Sequence, residues 1–376
     1  MADSLTIRPV RTLWDRHRFV DIPFRIFGGD PTWVPPLRIS VYDRISPKHP
    51  ANEHQENALW MAFRRGRPVG RIGACVDRLF DEFQGLHWGW IGFFECFDDP
   101  VAAGALFDTA CEWAGSRGAT TCVGPASFTT NDECGLLVEG FEDPPAILTT
   151  HNPPYYERLW TGGGWAPAMD LWGWYLHEPS IDLSDRHRRL LGRLKERSNL
   201  HIRVMRMDDF DAEVGRFFRV YNAAWSRNWG FAPMTEAEIR HLAKQLKQII
   251  DPEMAIVAEK ATGEPIAVCL GLPDVNGPMR KVRSGRLLPL GWWHLLRGVK
   301  RSHHVRVFAL GVAPELQNRA VGPLLYEQVV DHLRARGTQT GEASWILATN
   351  HRMNSAIETM GGRRYKTWRM YERAAG

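Results

Sequence analysis

The sequence predicts an α/β protein of the α+β type, with two domains of like order, each a mixed sheet flanked by helices. Three observations predict it. His304 to Gly337 (HVRVFALGVAPELQNRAVGPLLYEQVVDHLRARG) runs from an apolar stretch of strand length, Val305 to Val312, through the polar turn Glu315 to Arg319. It then takes up the helical period at Val321, Leu324, Leu325, Val329 and Leu333. Pro323 suits a first turn and Gly337 a helix stop. Trp88 to Val123 repeats that order: a strand to Cys96, Pro100, an apolar-periodic helix, Gly118, and a strand at Thr121–Val123. Finally, 376 residues suffice for two ordinary cores.

Taken in order, residues 5–10 (LTIRPV) read as a strand, Asp15 to Phe27 as a helix, and Asp30 to Pro36 as an extended segment set by prolines. Residues 37–56 read as irregular. Ala58–Arg64 and Arg67–Val76 form a hairpin around Arg65-Gly66. Residues 124–151 read as a loop-rich insertion. A helix from Asn152 then turns at Gly162–Trp165 into a strand, Met169 to Leu176. Glu178 to Leu200 reads as a charged helical linker, whose basic residues suit a solvated face better than a phosphate or membrane site. The second half opens with a strand at His201–Met205. Helices follow at Phe210–Trp225 and Thr235–Ile250, then a hairpin around Gly263. The boundaries expected are therefore 1–177, 178–200 and 201–376.

Composition excludes several classes. The net charge is only +4 and the basic residues are dispersed, so no nucleic-acid partner is expected. Six Cys lie mostly in apolar runs without a CxxC pair, which suits buried thiols in a reducing, cytoplasmic compartment. Fourteen His form neither HExxH nor a Cys/His cluster, so no metal is expected. The start, MADSLTIRPVRTLW, lacks the apolar stretch of a signal peptide, and no run of ~20 apolar residues occurs. Sixteen Trp, many beside Gly or Pro, suit either an apolar binding surface or packing under loops.

The strand RVFALGV, the turn PELQNRAVG and the helix LLYEQVV resemble the acyl-CoA-binding motif of the GNAT acyltransferases, whose Gln/Arg-x-x-Gly-x-Gly/Ala loop reads here Gln317-Asn-Arg-Ala-Val-Gly322. The strand Glu342–Asn350 and the helix ending at Met360-Gly361-Gly362 resemble the family's next signature. The resemblance covers the last ~120 residues most closely, extends by topology to 201–272, and is weaker in the first half. It implies two GNAT-like domains and an acyl-CoA co-substrate. Backbone N–H groups of Gln317, Asn318, Arg319, Ala320, Val321 and Gly322, with Pro323 in the first turn, would hold the pyrophosphate. The pantetheine arm would pair with Phe308 to Val312, including Leu310 and Gly311, as an added strand. Asn350 would orient the acyl carbonyl or cap its helix. Ala320 stands where glycine is usual. Ile357 stands where many members carry the Tyr that protonates the leaving thiolate, though a thiol of pKa about 8.5 does not require one.

In the first half, Asp98 and Asp99 occupy the place of the phosphate loop, so a single CoA site is expected, with the first half shaping the acceptor pocket. A protonated amine needs a base. Glu342 is the first candidate and Asp274, with Asn276 on its turn, the second; an exposed strand end and an ordinary turn are the plain alternatives. Asn228 and Trp229 either contact the acceptor or simply join two helices. Arg286 to His304 (RLLPLGWWHLLRGVKRSHH) joins Leu, Trp292, Trp293 and a basic tail, which suits either a membrane face over Leu287–His304 or a cover on the active site.

DPTWVPPL, GFFECFDD, NPPYY, NWGFAPM and GEASWIL resemble large bacterial GNAT-like proteins of the ceramide synthase type. That implies transfer of a long-chain fatty acyl group from acyl-CoA to the amine of a sphingoid base, at the inner face of the cytoplasmic membrane. Acetyl transfer to a small polar amine or a protein lysine, a transferase resembling those that use charged tRNA, and a non-catalytic CoA-binding membrane protein remain open.

Overall fold

A turn at Arg65-Gly66, both residues at positive φ, closes the hairpin that starts the first sheet. In this computed structural model residues 4–177, 181, 189, 192–193, 200–317, 321–335 and 337–375 are described, with the side chains of 299–301 excepted. The chain divides into two units. Unit 1 is Met1–Leu171, Asn276–Leu296 and Lys366–Gly376; unit 2 is Trp172–Val275 and Arg297–Tyr365.

In unit 1, β1 (Leu5–Pro9), β2 (Gln55–Arg64), β3 (Arg67–Asp77), β4 (Trp88–Cys96) and β5 (Thr121–Gly124) lie in that order. Neighbours are antiparallel except β4 and β5, a parallel pair from Trp88↔Thr121 to Trp90↔Val123. β6 (Leu136–Glu139) lies within the stretch expected to be loop, and β7 (Ala166–His177) follows. Helix α1 (Leu13–Ile26) starts at a capping box of Thr12 and Asp15. α2 (Arg38–Arg44) corrects the irregular reading of 37–56. It has no side-chain cap and no buried residue, and its first N–H bonds instead to the Gly285 carbonyl at 3.0 Å. A helix held by so distant a contact leaves little local pattern. α3 (Arg78–Gln84) starts at Asp77 and stops at Gly85; α4 (Pro100–Gly115) and α5 (Tyr156–Gly162) complete the layer. Ile72, Ile91, Phe94, Leu106, Phe107, Tyr156 and Trp160 form its core.

In unit 2, β8 (Leu200–Val204), β9 (Ala255–Lys260), β10 (Pro265–Pro273), β11 (His304–Val312) and β12 (Thr340–Leu347) repeat the same succession, with β11 and β12 as the parallel pair. The Trp172–His177 part of β7 lies beyond β12. Helices α6 (Phe210–Trp225) and α7 (Glu236–Leu246) precede β9, the latter with a Thr235/Glu238 capping box. The short α8 (Asn276–Met279) and the first part of α9 (Gly291–Arg301) belong to unit 1. α10 (Val321–Ala335) and α11 (His351–Thr359) return to unit 2. Val321, Leu325 and Val329 of α10 pack on Ile256, Ile266 and Val305. The helical linker expected over 178–200 falls almost wholly outside the described residues.

β13 (Arg363–Ala374) is a strand that the sequence pattern does not announce. Its Lys366–Ala374 part belongs to unit 1 and pairs antiparallel with β5 and β6. Its charges hide the strand pattern, yet they are satisfied: Arg369 bonds to Asp170 at 2.7 Å and Arg373 to Asp108 at 2.6 Å. The tryptophans are mostly packing. Trp33, Trp88, Trp90, Trp160, Trp165, Trp174 and Trp368 are buried, whereas Trp14, Trp292 and Trp293 are exposed. All six cysteines are buried free thiols.

Candidate active site

In unit 2 the pairing of β11 with β12 ends at Val307↔Ala343, while its pairing with β10 continues to Val312. Between Leu270↔Ala309 and Gly271↔Val307 one extra residue, Phe308, sits on β11. A bulge there bends the strand where it leaves its parallel neighbour. The result is a V-shaped opening with Phe308–Val312 along one edge. Gly311 is required on that edge, because a Cβ would lie 2.2 Å from the Trp225 ring. Trp225 itself stacks on Tyr221 with ring centres 4.7 Å apart. Leu310 is half-buried and Val312 buried.

The turn beyond β11 is described only in part. Gln317 donates from Nε2 back to the Val312 carbonyl at 3.2 Å. Asn318, Arg319 and Ala320 lie outside the described residues. Val321 is core, a Cβ at Gly322 would meet nothing within 4 Å, and Pro323 is exposed in the first turn of α10, which carries no acidic residue. Asn350 caps α11, accepting from the Met353 N–H at 3.2 Å.

Unit 1 has the same bulge but fills the corresponding gap. Parallel pairing stops after Trp90↔Val123, and two residues, Phe93 and Phe94, oppose Ile72. Ala126 donates its N–H to the Ile91 carbonyl at 2.8 Å, Ser127 Oγ accepts from the Phe93 N–H at 3.2 Å, and Phe128 packs edge-on to Phe93. A Cβ on Gly92 would fall 1.9 Å from the Ala126 carbonyl. Asp99 caps α4 through the Ala102 N–H at 3.0 Å and pairs with Arg64, which holds its carboxyl below the usual range. Asp98 pairs with Arg158 at 2.5 Å. This unit's own chain occupies both the strand edge and the helix end.

Beside the opening in unit 2 lies a buried polar group. Side chains alternate along strands, so Trp174, Val307 and Ala343 pack toward Ile357 of α11 while Tyr175, Arg306, Glu342 and Ser344 point to the other face. Glu342, one of the proposed bases, is fully buried rather than an exposed strand end. It accepts hydrogen bonds from the Ser344 and Tyr365 hydroxyls, one at each carboxylate oxygen. Arg306, its register partner, donates to Ser344 Oγ at 3.1 Å and to the Ser344 carbonyl at 2.9 Å. Tyr365 packs edge-on to Tyr175, which stacks with His304. Charges buried this deeply require such partners. The sequence signal for Arg306 is a lone charge inside an apolar strand; Tyr365 carries none, since the charges of β13 hide its alternation.

The other candidates do not join this group. Asp274, in unit 2, bonds through its backbone to His304 and Ser302. Asn276, in unit 1, donates to the Pro145 carbonyl at 2.8 Å. Asn228 closes the turn after α6, its N–H bonding to the Trp225 carbonyl at 2.8 Å, and Trp229 is half-buried beside it. Trp292 and Trp293 are about half exposed on α9. Ile357 is core, so no hydroxyl stands at its position.

Residues 215–361 match the Acetyltransferase (GNAT) family. The chain is 37% identical over 382 residues to "Bacterial ceramide synthase" of Caulobacter vibrioides (strain NA1000 / CB15N), covering 99% of this chain and 98% of that protein. It belongs to the GNAT acyltransferases. It is also 34% identical to "Protein YghO" of Escherichia coli (strain K12), over 96% of this chain and 93% of that one. Its fold is similar to that of a solved "Tandem GNAT protein from the clavulanic acid biosynthesis pathway (without AcCoA)", with TM-score 0.58, 14% identity and 99% of each chain covered. Two GNAT-like halves, each a mixed sheet flanked by helices, therefore make up the chain, and it is an N-acyltransferase. GNAT enzymes take acyl-CoA as co-substrate, and the edge Phe308–Val312 has the geometry to accept an extended arm as an added strand.

Proposed function

We propose that this GNAT enzyme moves a long-chain fatty acyl group from acyl-CoA to the amine of a sphingoid base. The observation that carries this reading is the 37% identity along nearly the whole length of a protein named a bacterial ceramide synthase. The acyl-CoA lies along Phe308–Val312 in unit 2, with its pyrophosphate at residues 317–322 and the start of α10. The filled edge and capped helix of unit 1 support a single donor site.

Two protons must leave the amine nitrogen, one before attack and one as the tetrahedral adduct collapses. Glu342 acts in the second event through the hydroxyls it holds. The Tyr365 oxygen takes the adduct's N–H proton as its own proton moves to Glu342 and the C–S bond breaks. The thiolate is then protonated from water, so no acid is needed at Ile357.

A lipid substrate also agrees with unit 1, where Leu288, Leu290, Trp292, Trp293 and Leu296 stand exposed together beside exposed Arg286. This face rests on the inner surface of an anionic membrane, apolar rings in the interface and Arg286 toward lipid phosphate. No described helix is long and apolar enough to cross a membrane.

The test offers acetyl-CoA and palmitoyl-CoA, each with sphinganine, a polyamine and a lysine peptide, and follows thiol release. Turnover with palmitoyl-CoA and sphinganine is expected. Turnover confined to acetyl-CoA with a polar amine would replace the lipid reading, and no release with any donor would leave a non-catalytic CoA-binding protein.

A further inference from the structure

Each unit parts its parallel strands beside a bulge, and the residue just past the last paired rung differs between them. In unit 1 the rung Trp90↔Val123 is followed by Gly124, and the strands stay close. A Cβ on Gly124 would lie 2.4 Å from the Ile91 carbonyl. That same carbonyl accepts the Ala126 N–H at 2.8 Å, so β4 remains bonded to the chain leaving β5. In unit 2 the rung Val307↔Ala343 is followed by Ser344. A side chain at this place excludes the approach seen in unit 1, because a carbon and a carbonyl oxygen repel strongly at such a separation. One rung earlier, unit 1 has Gly89 opposite Cys122, whereas unit 2 has Arg306 opposite Glu342.

Arg306 fixes the parted arrangement. From β11 its Nη2 donates to the Ser344 carbonyl at 2.9 Å and its Nε to Ser344 Oγ at 3.1 Å. The guanidinium lies 4.9 Å from the centre of the Trp345 ring and 5.4 Å from that of Phe308. It is therefore held from both strands, since Phe308 is the bulged residue of β11 and Trp345 follows Ser344 on β12. A backbone ladder sets neighbouring strands about 4.8 Å apart. A side chain that bonds across them imposes no such spacing, so the Ser344 carbonyl is satisfied while the strands diverge. The Ser344 hydroxyl donates in turn to Glu342, so Arg306 and Glu342 share one buried partner.

We propose that Arg306 and Ser344 are positioning residues that wedge β11 and β12 apart, keeping the edge Phe308–Val312 free for the extended arm of acyl-CoA. The inference rests on the proposed donor site in unit 2 and supplies the cause of its openness. Both residues act through the strands rather than on the substrate. Without the wedge, β12 closes on β11 as β5 closes on β4, and the edge N–H groups bond within the chain instead of to the donor.

The test contrasts Ser344→Ala, which keeps the Cβ, with Ser344→Gly, which removes it. The Kd for palmitoyl-CoA and the amide hydrogen exchange of Phe308–Val312 without donor are measured for each. Ser344→Ala should bind within about twofold of wild type, and Ser344→Gly about ten- to a hundredfold more weakly. Exchange at Phe308–Val312 should be slower in Ser344→Gly. Equal Kd and exchange in the two variants overturn the proposal, as does faster exchange in Ser344→Gly, the mark of simple loosening. A second pair sets Arg306→Met with Glu342→Gln against Glu342→Gln alone, so that no buried charge is left unpaired. The double variant should bind more weakly and exchange more slowly at the same edge; unchanged values overturn the proposal. If Ser344→Gly does not fold, this pair decides by the same two readings. If wild type binds no palmitoyl-CoA, the donor site itself fails. The wedge is then judged by exchange alone: slower exchange in Ser344→Gly than in Ser344→Ala supports it, and equal or faster exchange overturns it.

Discussion

Glu342 illustrates how burial changes what a residue can do. A carboxylate in water is a ready base, but one with both oxygens occupied by hydroxyls works only through them. Glu342→Gln and Tyr365→Phe should each lower kcat about 10–10³-fold while leaving the KM for acyl-CoA within about twofold, since neither lies on the Phe308–Val312 edge. Stopped-time thiol release over a range of acyl-CoA checks the split. The sequence marked Glu342 as a candidate because it opens a strand beside the donor strand. It does not show the hydroxyls, which come from two residues along and from β13. Glu95 gives a pH prediction. Burial pushes its carboxyl up to about 7, opposed by Arg71 at 3.7 Å and the Tyr156 hydroxyl at 2.7 Å. The folded state then holds this proton more tightly than the unfolded one, so stability falls as pH rises from the ordinary carboxyl range to about 7. The loss amounts to about 3 kcal/mol. Glu95→Gln should flatten that slope and differ little from wild type at pH 5, read from denaturant midpoints across the range.

Elements whose stability is local were legible, and those held from afar were not. The hairpin around Arg65-Gly66 and the strand–turn–helix at His304–Gly337 carry their own periods and stops. Helix α2 borrows its first hydrogen bond from Gly285, and β13 hides its alternation behind paired arginines. The segment before α9 is fixed in the same borrowed way. Arg38 donates to the Ser284 carbonyl at 2.7 Å, and Gly285 at positive φ admits the Pro36 carbonyl, which any Cβ would strike. A segment clamped at its base and carrying exposed Leu288, Leu290, Trp292, Trp293 and Leu296 presents its apolar face without melting. Trp292→Glu with Trp293→Glu should abolish flotation with vesicles containing phosphatidylglycerol and leave the unfolding midpoint unchanged. Equal flotation would make the segment a cover instead of a membrane face.

At the scale of the whole molecule, one strand succession occurs twice and is finished in two ways. Unit 1 closes its parallel-strand gap with Ala126, Ser127 and Phe128 and caps its helix with Asp99; unit 2 leaves Phe308–Val312 along an opening with buried Arg306 and Glu342 nearby. The duplication was readable because Pro, Gly and apolar spacing recur in both halves. The filling of one gap was not, because it depends on where a loop returns rather than on its composition. The acyl chain and the acceptor are the central claim, and the identity of the product decides them most directly. Purified enzyme given palmitoyl-CoA and sphinganine should yield N-palmitoyl-sphinganine in equal amount to free CoA thiol, identified by mass spectrometry. Thiol release with hydrolysed palmitate and no amide, or amide formed only on polar amines, would contradict the account.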